Sequence, residues 1–151
     1  MLDDTERRLL RALQDDPAMP IADLAGRFGM TTNLATRRLD RLRERGILKG
    51  QACEINWPAL GYTVAVSLRV TLEKSAPGAF DAFLAAARDI PEVLEIQTFL
   101  GSVDVRLAVI ARDMGHYQQI YRDHVLALPH IEDNEALLQV SEVYRASRVP
   151  L

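Results

Sequence analysis

The chain has 151 residues, 48% of them apolar and 26% charged, with a formal charge of −3. That length admits one ordinary domain or two small ones, and the composition is that of a globular protein. No apolar run reaches the ~18 residues of a membrane span, and the single cysteine, Cys53, excludes an intrachain disulfide or a zinc site built on several thiolates.

The first residues, MLDDTERRLL, are too charged for a signal peptide, so a cytoplasmic location is expected. Asp3 or Asp4 is placed to cap a first helix, with Leu9, Leu10 and Leu13 forming its apolar stripe. Asp15-Asp16-Pro17 ends it. IADLAGRFG fits a second, short helix with Ile21, Leu24, Ala25 and Phe28 on one face, and Gly29 supplies a stop and a sharp turn. Thr31 or Thr32 caps a third helix whose apolar positions are Ala35, Leu39 and Leu42, and Gly46 stops it. Three short helices with a glycine turn between the second and third match a helix-turn-helix unit. Residues 47–61, ILKGQACEINWPALG, read as a strand and then a connector broken by Trp57-Pro58 and Gly61; Cys53 is expected as a small buried apolar side chain.

After Gly61 the period changes. Tyr62, Val64, Val66, Leu68, Val70 and Leu72 alternate with smaller or polar residues, which predicts a half-buried strand. Pro77-Gly78 opens a helix carrying Phe80, Phe83, Leu84, Ala87 and Ile90, closed by Pro91. EVLEIQTFL and VDVRLAVIA are predicted strands joined by a Gly101-Ser102 turn. Met114, Tyr117, Tyr121, Val125 and Leu128 mark a helix ended by Pro129, and residues 131–144 form the last strand. The order βαββαβ is ferredoxin-like, with an antiparallel sheet and both helices on one face. The expected fold class is therefore α+β, in three parts: a helix-turn-helix domain at residues 1–50, a linker strand and connector at 51–61, and a ferredoxin-like domain at 62–151.

Charge is placed unevenly. Residues 1–60 sum to +1 and residues 61–151 to −4, whereas residues 27–49 hold seven Lys/Arg against two Asp/Glu. The basic surplus falls on the third helix, behind the glycine turn, where a recognition helix sits. Thr32, Asn33, Thr36 and Arg37 occupy its N-terminal, groove-facing part; Asn pairs with adenine and Arg with guanine in the major groove. Arg38, Arg41 and Arg45 suit phosphate contacts, with pairing of one of them to Asp40 or Glu44 at helical spacing as the bland alternative.

LDDTERRLLRALQDD, IADLAGRFGMTTNLATRRLDRLRERGIL, the connector ending in ALGY, and IPEVLEIQTFLGSVDVRLAVIARDMGHY together resemble the Lrp/AsnC family of transcription regulators, over nearly the whole chain and in one register. No single motif is specific; the ordered set is. The resemblance implies a winged-helix-like DNA-binding domain joined to a domain that assembles dimers, tetramers or octamers. In many members that second domain binds a free amino acid between dimers. It implies no cofactor. It also implies an effector site at the turn between the second and third strands, where the family pattern is Gly-Asp-x-Asp. Gly101, Ser102, Val103 and Asp104 stand there, so Gly101 and Asp104 match and Ser102 replaces the first acid. An acid at this turn receives an ammonium group and backbone amides receive a carboxylate. The bland alternative is a hairpin whose Ser and Asp satisfy local backbone groups. Met114 and Leu137 match pocket-side positions of the family, with plain core packing as their alternative. Asp40 departs from a position that is often basic. Trp57 matches the connector where the family crosses its linker strands.

Two other functions remain to be weighed. Related haem-pathway decarboxylases share the two-domain layout but carry aromatic and His/Arg residues on the second and third strands, where EIQTFLGSVDVRLAVIA has one Arg and no His. An architectural DNA compactor would need a larger basic surplus, because nonspecific affinity follows the number of phosphates neutralised. His116, His124 and His130 lack cysteine partners for a metal site, and no Gly-rich phosphate loop, HExxH or nucleophile elbow is present.

Overall fold

The computed structural model describes every residue, Met1–Leu151. Contacts divide the chain into two compact units: Met1–Glu54 together with Tyr144–Leu151, and Ile55–Val143.

The first unit is built on α1 (Asp4–Asp15), α2 (Ile21–Arg27) and α3 (Thr32–Glu44). Each boundary has a local cause. Asp3 caps α1 by accepting from the Glu6 amide at 2.6 Å, while the Glu6 carboxylate accepts from the Asp3 amide at 3.1 Å, a reciprocal capping box. Thr31 Oγ1 accepts from the Leu34 amide to start α3. Gly46, at φ 68°, ends it: the Ile47 and Gly46 amides return to the carbonyls of Leu42 and Arg43, a Schellman stop that needs the left-handed conformation. Leu9, Leu10, Leu24, Leu39 and Leu42 close the core, with Phe28, Met30 and Leu48 packed around them. Each fully buried leucine contributes roughly 1.5–3 kcal/mol.

Contacts group residues 144–151 with this unit. The Gln14 amide accepts from the Val149 N–H at 2.7 Å and donates to its carbonyl, Arg11 donates to the Leu151 carbonyl, and Leu151 joins the leucine cluster. Two expectations for the connector also fail. No strand forms within residues 47–56, because those amides and carbonyls have no neighbouring strand to pair with, and Cys53 is exposed rather than buried.

The second unit carries β1 (Val64–Leu72), α4 (Ala79–Arg88), β2 (Val93–Thr98), β3 (Val105–Ala111), α5 (Met114–Ile120) and β4 (Ile131–Leu138). The sheet order is β2-β3-β1-β4, and all three pairings are antiparallel. The alternation read in β1 is realised: Val66, Leu68, Val70 and Leu72 face inward, and Val66, Leu68 and Val70 stand opposite Val109, Leu107 and Val105 of β3. Phe83, Ala87 and Ile90 of the α4 region and Tyr117, Ile120, Val125 and Leu128 of the α5 region cover that face. Phe80 and Met114, expected on the buried stripes, are 42% and 46% exposed. The second helix is shorter than its stripe: α5 stops at Ile120 and continues as a wider π turn, Tyr121–Val125. The last strand ends at Leu138, not at residue 144. The sheet's other face carries ionic and polar side chains. Arg106 reaches Ser67, Gln97 and Glu95, and Arg69 lies 3.7 Å from Glu135.

Candidate DNA and ligand sites

On α3, the buried positions Ala35, Leu39 and Leu42 define one face. The opposite face is set by helical spacing: Asn33, Arg37 and Arg41, four residues apart, are all exposed. Thr32 is exposed beside them, while Thr36 is half-buried and its hydroxyl donates to the Thr32 carbonyl at 2.9 Å. Leu34, which the sequence reading passed over, is 45% exposed in the first turn. An apolar side chain there suits a thymine methyl.

The basic residues divide into two groups. Arg37 and Arg41 make no ion pair within the chain. Arg38 instead holds Asp3 at 2.7 Å, and Arg45 holds Glu6 at 3.1 Å. Glu6 is only 4% exposed, so Arg45 is the counterion of a nearly buried carboxylate. Arg43 pairs with Asp40 at 2.8 Å on the helix surface, so its charge is matched while that of Arg41 is not. The Asp3 carboxyl is held below its usual pKa, chiefly by the Glu6 amide and next by the Arg38 guanidinium. The sequence held one usable sign of this arrangement, the Asp3-x-x-Glu6 spacing of a capping box. The ion pairs to α3 span 35 and 39 residues, beyond any local pattern.

The effector candidates are not gathered by one chain. Gly101 and Ser102 are exposed and Val103 is half-buried in the turn between β2 and β3. Asp104 closes that turn. Its amide donates to the Val70 carbonyl at 3.0 Å, its carbonyl accepts from Phe99 at 2.9 Å, and its Oδ2 accepts from the Leu72 amide at 2.8 Å. The Ser102 carbonyl, not its hydroxyl, accepts from Thr71. One carboxylate oxygen of Asp104 is thus used locally and the other, Oδ1, has no partner in the chain. Leu137 lies opposite Ser67 on the sheet face away from the helices. Met114 follows the far end of β3, about 24 Å of strand from Asp104 at ~3.4 Å per residue. A cavity of about 700 Å³ lies in the first unit, bounded by Leu13, Ile21, Leu48 and Leu151, and none of these candidates lines it. No three His, Cys, Asp or Glu side chains come together as a metal cluster.

Residues 65–149 match the family model described as the Lrp/AsnC ligand binding domain, which is more than half of the chain. The chain belongs to the Lrp/AsnC family of transcription regulators. Residues 2–49 match a winged helix-turn-helix DNA-binding model. An Lrp/AsnC protein of this form joins a DNA-binding head to a ligand-binding domain, and α1, α2 and α3 lie in the head. The leucine-responsive regulatory protein of Salmonella typhimurium is 28% identical over 148 residues, covering 98% of this chain and 90% of that protein. Its Escherichia coli K12 counterpart is 27% identical over the same span. A transcriptional regulator from Neisseria meningitidis, solved as a complex with L-Met, superposes with a TM-score of 0.89 at 25% identity, covering 99% of this chain and 97% of that one. Escherichia coli AsnC shares the fold, with a TM-score of 0.88 at 24% identity and 99% coverage of both chains. These relatives are regulators, and no helix of this Lrp/AsnC protein is long and apolar enough to cross a membrane.

Proposed function

We propose that this chain is a cytoplasmic, non-enzymatic regulator that reads its operator through Thr32, Asn33, Thr36 and Arg37, with Arg41 on phosphate. The observation that carries this reading is the exposed Asn33–Arg37–Arg41 face of α3, backed by buried Ala35, Leu39 and Leu42. Arg38 and Arg45 are reassigned from phosphate contact to holding α3 against the start of α1, because each already faces a carboxylate. Dimers would set two such helices on half-sites one or more turns apart, ~34 Å per turn.

The ligand in this proposal is a free amino acid. Asp104 Oδ1 receives its ammonium group, and backbone amides of residues 101–103 receive its carboxylate. Met114 and Leu137 cannot reach that turn in one chain, so the pocket closes between dimers in a homo-oligomer, each supplying part of the wall. The L-Met bound by the Neisseria relative supports the ligand class. Binding one assembly state more tightly than another then shifts the population that fits the operator.

The test selects duplexes from a random-sequence pool with the purified protein. Binding is then measured with and without the twenty amino acids. A selected consensus whose affinity an amino acid alters supports the whole reading. A consensus with no amino-acid response removes the ligand part, and no consensus at all leaves the compactor reading in its place.

A further inference from the structure

Two arginines outside the recognition helix share a single aromatic support. Arg8 on α1 places its guanidinium 5.0 Å from the centre of the Phe28 ring, and Arg27 at the end of α2 places its own at 5.9 Å. Phe28 is half-buried against the leucine core, so the ring is a fixed platform. Each arginine stands four residues after an acid, Asp4 and Asp23, at the spacing that favours an ion pair on a helix. Neither pair forms: both arginines are exposed, and neither contacts any carboxylate. Elsewhere in the unit Arg38, Arg43, Arg45 and Arg148 each take a carboxylate.

A ring face attracts a guanidinium through its quadrupole but leaves the positive charge uncompensated. Two such charges beside one ring stay free to meet an anion, and an ordered guanidinium fork loses less freedom on binding than a free one. Phe28 also ends α2, and Gly29–Thr31 leads straight into the groove-facing turn of α3. We propose that Arg8 and Arg27, braced on Phe28, clamp backbone phosphate of the duplex beside the recognition helix. The clamp positions the head and reads no bases. This inference rests on DNA binding through the helix-turn-helix.

The experiment measures duplex affinity of the full chain between 50 and 200 mM NaCl, on a duplex selected by the wild-type protein and on a scrambled one. Each phosphate contact contributes ~0.9 to the slope of log affinity against log salt, or about 3.5-fold over that fourfold range. Arg8→Gln and Arg27→Gln should each lower the slope by about one per head, and the double variant by about two. Both duplexes should weaken equally. The charge-retaining Arg8→Lys/Arg27→Lys variant should keep the slope, which separates loss of charge from damage to the fold. Arg145→Gln, an exposed arginine without an ion pair elsewhere in the unit, should change neither slope nor affinity. An unchanged slope in the double glutamine variant overturns the clamp. So does an equal loss in Arg145→Gln, which would mean diffuse attraction, or a fall confined to the selected duplex, which would mean base reading. Failure of the wild type to bind any duplex would refute the DNA reading itself, and the clamp with it.

Discussion

Replacing Arg45 by methionine separates a structural cation from a DNA contact. Arg45 Nη1 lies 3.1 and 3.2 Å from the two carboxylate oxygens of Glu6, and its Nη2 donates to the Met1 carbonyl. Glu6 is 4% exposed, so Arg45→Met strands a nearly buried carboxylate. A hydrogen bond to a charged group is worth about 1.5–3 kcal/mol, and the upper part is discounted because the Arg45 side chain is 35% exposed and partly screened. The expected loss is about 1.5–2.5 kcal/mol. At roughly 4–8 °C per kcal/mol for a small domain, the melting transition of the helical unit falls by about 6–20 °C. Glu6→Ala should lose slightly more, about 2–3 kcal/mol, because the reciprocal cap on Asp3 goes with it. Glu6→Ala/Arg45→Met should cost clearly less than the two single changes together, since no charge is then left stranded. Calorimetry of the four proteins completes the cycle. An Arg45→Met protein that melts like the wild type while its DNA-binding salt slope drops by one would refute the reasoning and return Arg45 to the phosphate contacts.

Arg37→Ala should weaken operator binding by about 1–3 kcal/mol and relax preference at one base position, as measured by repeated duplex selection; uniform weakening on all sequences would assign it to phosphate instead. Asp104→Ala removes the acceptor of the Leu72 amide and should cost about 1 kcal/mol in urea unfolding. It should also abolish the amino-acid response and leave DNA affinity intact; a retained response would place the ammonium site elsewhere. The Asp3 carboxyl is held low by the Glu6 amide and then by Arg38, so its contribution is present above the ordinary carboxylate range and is lost as pH falls through its depressed value. Asp3→Asn keeps an N-cap oxygen and should flatten the acid limb of stability against pH, whereas an identical acid limb would show that other carboxylates dominate it.

Local chemistry was legible in the sequence. The caps fall within the pairs Asp3 or Asp4 and Thr31 or Thr32, with Asp3 and Thr31 taken, and the stop at Gly46, the stripe Ala35–Leu39–Leu42 and the period-2 run of β1 appear where the residues place them. Each depends on neighbours within a few positions, so spacing alone determines it. The exposed face of α3 follows from the same arithmetic. Misses came where a residue's state depends on a distant partner. Residues 47–56 have strand-like composition but no strand to pair with, and the tail joins the helical unit through Gln14, far away in the chain. Asp4–Arg8 and Asp23–Arg27 are four apart and Asp40–Arg43 three apart, all helical neighbours, yet only the last forms an ion pair, while Arg8 and Arg27 lie over the Phe28 ring. Arg38 and Arg45 looked like phosphate ligands on a basic helix, and only packing against α1 showed carboxylates facing them. The sequence by itself determined the three N-terminal helices, the strand alternation of β1 and the exposed face of α3, because those depend on spacing and capping along the chain. Tertiary structure alone decided which of its charges are left uncompensated for DNA, because ion pairing is settled by proximity in space.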